Sequence, residues 1–559
     1  MFQMRKFLLI VLSSLLFLAS SCNKNPNTYH NNALDKLPAE LGFVYTSGKE
    51  FKINNVDFFP LMLNYSVSIR NINGVYFPSG IKEYENPDVF EGNCKDSSLN
   101  VIKGHFKLIK DLGFNTIRLI GFDKISRNVK GEYGFFVSKE NSDEFLSVKE
   151  GISEIIHTLK DVIDIAKELD LHLMILIKPP IKNADIETFT QKILTAFKYE
   201  QTVFAYDFFN EPLYFDINDN SKDPNFFREK KDAFNIVSNW KEMMMLYAPN
   251  QLFTIGFAEP IEVFEWDPTI LPVDFVNMHT YHPLRVPNEI YWYSKNINKP
   301  WMIGETSLPA DNDSITYSDQ TQFLKEAYLR TKNCGGSGFG WWAFQDVTSW
   351  GTFEHNYTSL LNHEGITFTA DGKHRILGSI KPAGLEIKNL FRLNPSNVCD
   401  CWTNFYNMLG YENYVVEGRV LKAGVLKAAK GAVIRGWNKD WSIGANTFAD
   451  EEGNFKLYSN TEFVHFEVSA PGLNTISFDF EKPYVSVDKI ATPIANLPNQ
   501  KLEYQKVTYN PFLKYPDLKM APDSLNRIFN FNPDKFNRFK YKKAMPAVLL
   551  EKVDLYGIN

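Results

Sequence analysis

Eight short apolar runs, separated by amphipathic stretches, are the feature of this 559-residue sequence that most restricts its fold. Their continuous apolar character is typical of parallel strands that are covered on both faces. Parallel strands need long crossover connections, and amphipathic stretches such as 152–170 predict that helices provide them. The predicted strands lie at 58–64, 115–122, 171–180, 202–212, 251–260, 274–283, 300–309 and 336–346.

This alternation of strand and helix predicts an α/β fold, and eight repeats predict that the parallel sheet closes into a (β/α)8 TIM barrel. Polar residues are concentrated at the C-terminal ends of the predicted strands, where the active sites of such barrels lie. The interval between the second and third strands is unusually long. Its excess, residues 123–148, is predicted to form an inserted loop at the rim.

Two glutamates occupy equivalent positions in this repeat. The interval from Glu211 to Glu305 corresponds to three units of roughly 31 residues, the average for a barrel of roughly 250 residues. The two side chains should therefore end the fourth and seventh strands, which face each other across the barrel mouth. Retaining hydrolysis of a glycosidic bond requires two carboxyl groups about 5–5.5 Å apart, so these glutamates are the candidate catalytic pair.

Short motifs surround this pair in a definite order along the chain. They are Arg118 in a strand-like run, Asn-Glu-Pro at 210–212, His-Thr-Tyr at 279–281, Ile-Gly-Glu at 303–305 and the pair Trp341-Trp342. Together they resemble glycoside hydrolase family 5 and the wider clan A over residues 46–390. The resemblance implies a retaining glycosidase with Glu211 as acid/base and Glu305 as nucleophile.

The resemblance and the chemistry of the side chains imply roles for the neighbouring residues. Arg118 and Tyr281 are expected to donate hydrogen bonds to Glu305 and keep it ionised. Glu211 must stay protonated to act as an acid, which a poorly solvated site beside a second carboxylate favours. Asn210 is expected to bond the sugar 2-hydroxyl in the transition state.

His279 is expected to order this network, and Trp341 is expected to offer an apolar face to a pyranose ring. Adjacent strand residues face opposite ways, so only one of Trp341 and Trp342 can face the cleft, and we choose Trp341. Other interpretations stay open. Arg118 could instead be a structural ion-pair residue, and His279 and Tyr281 could be satisfied polar groups of the core.

The third strand departs from the family pattern. Family members usually carry a histidine near the sugar at this point, whereas this strand ends in Ile177 and Lys178. Lys178 is either a salt-bridge partner of a neighbour or part of a subsite altered for a different or acidic sugar. Further rim residues are open to subsite or packing roles: Tyr214, Phe215, Glu259 and Trp292.

A second function is compatible with the same sequence. The chain could bind glycan without cleaving it and keep the barrel only as a scaffold, although a pure binder has no chemical reason to hold Glu211 and Glu305 together. A transglycosylase would use the same residues.

Carbohydrate is the expected partner in each case, and we expect a monomer without cofactor or metal. The net charge of −6 and the lack of a long basic run argue against nucleic acid.

The N-terminus indicates export. Two basic residues and a short apolar run precede Cys22. Residues 1–22 therefore resemble a bacterial lipoprotein signal peptide, although Ala19 stands where leucine is usual, and predict lipidation of Cys22 and anchoring to a periplasmic or cell-surface membrane face. An ordinary secretory signal cleaved near Cys22 is the alternative. Residues 23–42 are polar and are interpreted as a linker.

The helical periodicity ends near residue 394, and the barrel domain is predicted at 43–395. Short strands separated by Gly and Asp turns predict a β-sandwich at 413–482, which resembles carboxypeptidase-regulatory-like or transthyretin-like modules. Residues 483–559 are predicted to be a C-terminal extension that packs back on the body. Export permits disulfides, but the spacing does not define their pairing and free thiols are equally compatible. Besides Cys22, the cysteines are Cys94, Cys334, Cys399 and Cys401.

Overall fold

The computed structural model describes fourteen parts of the chain. They are residues 42–81, 84, 94–138, 143–179, 183–216, 228–281, 283, 285–313, 315–347, 353–396, 398–400, 411, 413–487 and 539–555. The predicted signal peptide with Cys22, and the predicted linker as far as residue 41, lie outside them. None of the helices in the described ranges combines the length and apolar character that a membrane crossing requires.

The strands are numbered along the chain. They are β1 (Val44–Ser47), β2 (Glu50–Ile53), β3 (Val56–Phe58), β4 (Leu61–Ile72), β5 (Val75–Gly80), β6 (Thr116–Ile120), β7 (Ser126–Arg127), β8 (Tyr133–Ser138), β9 (Asp143–Ser147), β10 (His172–Leu176), β11 (Val203–Asn210), β12 (Leu252–Phe257), β13 (Val276–His279), β14 (Trp301–Glu305), β15 (Phe339–Trp341), β16 (Ile366–Phe368), β17 (Arg375–Leu377), β18 (Tyr414–Lys422), β19 (Val433–Trp437), β20 (Gly444–Phe448), β21 (Asn454–Ser459), β22 (His465–Ala470), β23 (Leu473–Asp479), β24 (Val485–Ser486), β25 (Tyr541–Ala544) and β26 (Val548–Leu550).

Helices connect the strands of the first part of the chain. The α-helices are Lys95–Leu112, Ile152–Glu168, Ala184–Phe197, Pro212–Phe215, Lys230–Tyr247, Val286–Asn296, Tyr317–Asn333, Phe353–Asn356 and Pro382–Glu386, and the 3-10 helices are Pro260–Phe264 and Ile387–Arg392.

Eight parallel strands form a closed barrel. In order they are β4, β6, β10, β11, β12, β13, β14 and β15, and β15 pairs with β4 through Phe339 and Leu61, which closes the sheet. Each strand is followed by a crossover that carries helix, and the strand interiors are apolar on the face towards that helical layer. The predicted fold class is therefore confirmed: a (β/α)8 barrel followed by an all-β module.

The base of the barrel is closed by the antiparallel meander β1–β2–β3. Its second turn consists of Asn54 and Asn55, both at positive φ, a conformation that asparagine tolerates in tight hairpins. Phe51 on β2 lies edge-on to Phe204 and Phe275, with ring centroids 6.4 and 5.0 Å away. The buried residues of this plug and of the strand beginnings form one cluster: Val44, Phe51, Met62, Met174, Phe204, Ala205, Leu252, Phe275 and Met302.

The first barrel strand extends beyond the barrel. β4 has 12 residues, and its second half pairs with β5 in a hairpin and with β8 at Arg70. The residues 123–148, predicted as an inserted loop, contain β7, β8 and β9, which form a small antiparallel sheet at the rim. These strands pair mainly with one another, and a single residue pair, Arg70 with Ser138, joins them to the outer half of β4.

The C-terminal module is a sandwich of two sheets. One sheet has the order β21–β18–β25–β24 with β26 also paired to β18, and the other has the order β20–β19–β22–β23. β25 and β26 come from the segment predicted as a separate C-terminal extension, and both run parallel to β18. The end of the chain therefore contributes strands to the sandwich.

The module packs directly on the barrel. Lys230, at the start of a barrel helix, is buried and donates to Asp267 (3.0 Å) and to the carbonyl oxygen of Ala470 on β22 (2.8 Å). Trp292 donates through Nε1 to the carbonyl oxygen of Gly431, 2.9 Å away. The predicted rim position of Trp292 is therefore wrong, since this side chain is buried on a helix under the module.

One disulfide joins Cys334, at the end of the helix Tyr317–Asn333, to Cys399. It ties the helix between β14 and β15 to the segment that leaves the barrel. Cys94 is exposed and is not in a disulfide, and Cys401 lies outside the described residues.

Candidate active site

The backbone at Glu211 is strained. Glu211 follows β11 with φ 49° and ψ 70°, in the left-handed region that residues other than glycine and asparagine rarely adopt. Its N–H donates to the carbonyl oxygen of Gly256, 2.6 Å away on β12, and Pro212 starts a short helix immediately afterwards. This turn places the Glu211 side chain, only 4% exposed, against His279.

Glu305 ends β14 and is also only 4% exposed. Arg118 donates through Nη1 to its Oε1, and Tyr281 donates through its hydroxyl to Oε2. Burial, followed by the charges of Glu305 and Glu211, raises the pKa of Tyr281 well above its usual value. Tyr281 therefore remains a hydrogen-bond donor at neutral pH, and Glu305 is held by two donors.

The Arg118 guanidinium is fully buried in the barrel and connects four side chains. Besides Glu305, it donates to Asp207 Oδ2 through Nε (2.9 Å), to Asn64 Oδ1 through Nη1 (3.1 Å) and to Asn210 Oδ1 through Nη2 (2.8 Å). Burial lowers the pKa of Arg118, but the charges of Asp207 and Glu305 outweigh burial and raise this pKa overall. The side chain is therefore a permanent cation that orients its four acceptors.

The two candidate catalytic carboxyl groups are close together. One oxygen of Glu211, one oxygen of Glu305 and a ring nitrogen of His279 all lie within 4.8 Å of one another. This separation is close to the roughly 5–5.5 Å of retaining glycosidases and far from the roughly 6.5–9.5 Å that inverting enzymes need to admit a water. Both carboxyl groups can therefore act on one bond.

His279 is buried between them. Its Nδ1 lies 2.9 Å from Glu211 Oε1 and 3.5 Å from Glu305 Oε1. Its Nε2 makes no hydrogen bond to a described residue and faces Gly256, where an added Cβ would lie 2.9 Å from Nε2. A proton on Nδ1 accounts for the short contact, because Nδ1–H then donates to Glu211 Oε1.

The structure corrects the choice of Trp341 as the sugar platform. Trp341 is fully buried, its Nε1 donates to the carbonyl oxygen of Thr358 (3.1 Å), and its ring lies edge-on to Phe323. Phe323 belongs to the helix Tyr317–Asn333, so Trp341 packs between strand and helix and does not face the cleft.

Trp342 faces the opposite way from Trp341, towards the cleft. Gly340 faces the barrel interior, since an added Cβ there would lie 2.9 Å from the methyl carbon of Met62, and side chains alternate along a strand. Trp342 is two residues further on and is half-buried. The motif therefore contains one core tryptophan and one cleft tryptophan in the order opposite to the expected one.

Lys178 also faces the barrel mouth. Met174 belongs to the interior cluster, whereas Ile175 and Ile177 belong to the outer core, so alternation directs Lys178 inwards. Its ammonium group is half-buried and forms no hydrogen bond or ion pair with the described residues. Burial lowers the pKa of Lys178, and the charge of Asp123 opposes that shift.

Three residues of the network escaped sequence analysis: Asn64, Asp207 and Asn277. Asp207 is fully buried and accepts from Arg118, from the Gly256 N–H (2.9 Å) and from Asn277 Nδ2 (3.2 Å). Asn64 donates to two backbone carbonyl groups and accepts from Arg118. A usable signal was present, because each is a polar residue inside an apolar run and has the parity of the inward-facing positions.

Other rim residues have structural partners. Glu259 is buried, accepts from the Tyr214 hydroxyl (2.8 Å) and pairs with Arg285, which agrees with a rim carboxylate that does not touch substrate. Phe215 is 45% exposed.

The group Glu211, His279 and Glu305 has the donor types of a metal site, but Arg118 and Tyr281 already occupy Glu305, so a cation would have to displace them.

Replacing the buried cation should destabilise the barrel. Arg118→Met leaves Asp207 and Glu305 buried without their counter-charge, and we expect the free energy of unfolding to fall by about 3–5 kcal/mol in urea denaturation. The control is Arg127→Met on exposed β7, which should change this free energy by no more than about 0.5 kcal/mol. Equal effects of the two variants would contradict a structural role for the Arg118 network.

Comparison with known proteins gives a distant likeness at the level of structure. No protein-family model matches the chain, and no curated protein matches it. Solved structures that resemble it are those of a β-mannanase from the blue mussel Mytilus edulis (13% identity, covering 54% of this chain and 91% of that one, TM-score 0.33), an endo-β-1,4-mannanase from Thermotoga petrophila (13%, 76%, 98%, 0.38) and a family 1 β-glucosidase from Thermotoga maritima (13%, 59%, 97%, 0.36). Similarity at this level establishes neither a family nor an activity for this chain.

Proposed function

We propose that the chain is a retaining glycoside hydrolase that cleaves β-linked oligo- or polysaccharides, with Glu305 as nucleophile and Glu211 as acid/base. The observation that carries the proposal is the pair of buried carboxyl groups with oxygens within 4.8 Å of each other. The partners of the two carboxyl groups differ, as a nucleophile and an acid require. Glu305 receives a cation and a phenol, which favour its anion, whereas Glu211 contacts the imidazole of His279.

In the first step, the Glu305 carboxylate attacks the anomeric carbon while Glu211 gives its proton to the departing glycosidic oxygen. The bond between the anomeric carbon and that oxygen breaks, and a glycosyl ester on Glu305 forms. Asn210, whose Oδ1 is taken by Arg118, keeps its amide nitrogen available for a hydroxyl of the sugar.

In the second step, Glu211 is a carboxylate and removes a proton from water. The water oxygen attacks the anomeric carbon, and the ester bond to Glu305 breaks. Each step inverts the anomeric centre, so the product keeps the configuration of the substrate. His279 contacts Glu211 Oε1 through Nδ1 and keeps this oxygen occupied, so that the other oxygen carries the proton that is transferred.

The alternative of a glycan binder without catalysis is less well supported. The left-handed backbone at Glu211 costs on the order of 1–3 kcal/mol, and the buried network of Arg118 is expensive in desolvation. Binding sugar hydroxyls requires neither feature. A transglycosylase would share the same residues and the same first step.

Variants of the two glutamates test the proposal on aryl β-glycosides and β-linked polysaccharides. Glu305→Ala should abolish turnover. Glu211→Ala should lower kcat by roughly 10²–10⁴ on substrates with poor leaving groups, and far less in the release of 2,4-dinitrophenolate, which departs without a proton. NMR of the initial product should show the retained anomer.

The matched control is Glu364→Ala, which removes an exposed carboxylate outside the network and should leave the rates unchanged. An inverted product would rule out the double displacement. Saturable glycan binding without hydrolysis of any substrate, anionic glycans included, would establish the binder.

The two adjacent tryptophans should separate binding from stability. We propose Trp342 as the sugar platform, and Trp342→Ala should raise KM about tenfold through loss of apolar contact with a sugar ring. Trp341→Phe should leave KM unchanged and lower the free energy of unfolding by about 1 kcal/mol, because it loses the hydrogen bond to Thr358. A higher KM for Trp341→Phe with an unchanged KM for Trp342→Ala would instead identify Trp341 as the platform.

Lys178 leads to a specific substrate test. We propose that it binds the carboxylate of an acidic sugar, because a half-buried ammonium group in the mouth has no acceptor among the described residues. Lys178→Met should lower the ratio of kcat/KM for β-uronides over neutral β-glycosides by about tenfold or more. Lys124→Met, at an exposed lysine nearby, is the control. Undiminished activity of the wild type on neutral glucans and mannans relative to anionic glycans would refute this role.

A further inference from the structure

The sandwich module carries a cluster of three aromatic side chains, one of which is exposed. Trp437 at the end of β19, His465 at the start of β22 and Trp441 in the turn after β19 form it, and we call these three side chains the aromatic platform. Trp437 pairs with His465 across the strands, and His465 pairs with Asp479 on β23. Trp437 is buried, whereas Trp441 is 46% exposed.

The rings are stacked and supported from below. Trp441 lies on the His465 ring with centroids 4.1 Å apart and planes only 9° from parallel, and Trp437 lies 5.2 Å away. His465 is held in place through both ring nitrogens, by Asp479 Oδ1 (2.7 Å) and by the carbonyl oxygen of Lys439 (3.1 Å). The His465 ring therefore covers one face of the Trp441 indole. The exposed part of Trp441 is the rest of the ring, including its other face.

The backbone holds Trp441 at a conformational cost. Its φ is 61°, in the left-handed region that a bulky side chain rarely adopts. The turn is closed by hydrogen bonds of Asn438, whose Oδ1 accepts from Ile443 N (3.0 Å), and of Asp440, whose Oδ1 accepts from the Ser442 hydroxyl (2.6 Å). Strain of this kind persists at places where the surrounding structure determines the conformation, and binding sites are such places.

The aromatic platform lies towards the mouth of the barrel. Gly431, just before β19, packs on Asn296, the last residue of a helix that runs antiparallel to the barrel strands and so ends near the base. Further along β19, Arg435 lies over the ring of Phe264 (4.0 Å), in the 3-10 helix that follows β12 at the mouth. β19 therefore runs from base to mouth, and Trp437 continues in that direction.

Charged contacts join this edge of the module to the rim beside Glu211. Asp216, which ends the short helix after Glu211, binds Arg228 (2.6 Å), and the N–H of Arg228 donates to Glu265 Oε2 (3.2 Å). Glu265 directly follows Phe264, the residue beneath Arg435. The rim beside Glu211 is thus connected by contacts to Arg435, which lies two residues before Trp437 on β19.

We propose that the aromatic platform is a glycan-binding subsite, which holds a pyranose ring of a polysaccharide outside the catalytic cleft. The C–H face of the sugar stacks on the open face of Trp441. The carboxylates of Asp440 and of Asp479, whose side chain is 69% exposed, flank the ring and accept hydrogen bonds from equatorial hydroxyls. The inference rests on the proposed function in taking a glycan as the ligand.

The dimensions and charge of this surface fit a sugar ring better than other partners. One indole face matches a single pyranose, whereas a stable protein interface buries about 800 Å² on each partner. Flanking carboxylates disfavour the phosphates of nucleic acids and lipids. They are good acceptors for sugar hydroxyls, and a rigid aromatic side chain loses little conformational entropy on binding.

Binding is tested with the Glu305→Ala chain, so that substrate is not consumed. The probes are insoluble cellulose and mannan in depletion assays, and mixed-linkage β-glucan, glucomannan, xylan and polygalacturonate in native affinity gels. Adding Trp441→Asn removes the indole at a backbone conformation that asparagine tolerates. Adding Val425→Ala, an exposed apolar residue in the turn between β18 and β19, is the control.

We expect at least one polysaccharide to retain the protein, and Trp441→Asn to weaken that retention about tenfold or more while Val425→Ala does not. Equal retention with and without Trp441→Asn, or no retention by any probe, would overturn the aromatic platform as a subsite. The assay does not need turnover. If the wild type hydrolyses no glycan but retention still depends on Trp441, the proposed hydrolase fails and the subsite stands.

Discussion

The buried guanidinium of Arg118 is the interaction on which the site depends. A cation inside a barrel is tolerated only with counter-charges and acceptors on every side, and Asp207, Glu305, Asn64 and Asn210 supply them from three other strands, β4, β11 and β14. Those strands must therefore be in register at the mouth before the charge is satisfied. One side chain thus couples closure of the barrel to the alignment of the carboxylate proposed to be the nucleophile.

The sequence predicts those parts of the structure that follow from periodicity. Apolar runs at regular spacing predict the closed barrel, and the C-terminal ends of parallel strands necessarily meet, so Arg118, Glu211, His279 and Glu305 lie together. The choice between Trp341 and Trp342 was wrong because it depends on the parity of one strand. Neither the composition of a strand nor its position in the sequence defines that parity.

Two further features were not predictable because their partners are remote in the chain. The polar character and inward-facing parity of Asp207 and Asn277 can be read from the sequence, but the side chains that they contact are defined only when the opposite strands are in place. β25 and β26 complete the sandwich beside β18 although more than a hundred residues separate them from it. In both cases the partner is identified only in three dimensions, as the group that satisfies a buried charge or the strand that covers an edge.

The plug at the base of the barrel also constrains the order of folding. Val44 and Phe51 are synthesised before any barrel strand. The cluster in which they pack nevertheless includes Met302 on β14, so its members span almost the whole barrel sequence. The packing surface of the meander is complete only when β14 has joined the sheet, because its partners extend from Met62 to Met302. Contacts of such long sequence separation favour slow folding, and the apolar side chains of the meander stay partly uncovered until the last strands of the barrel have formed.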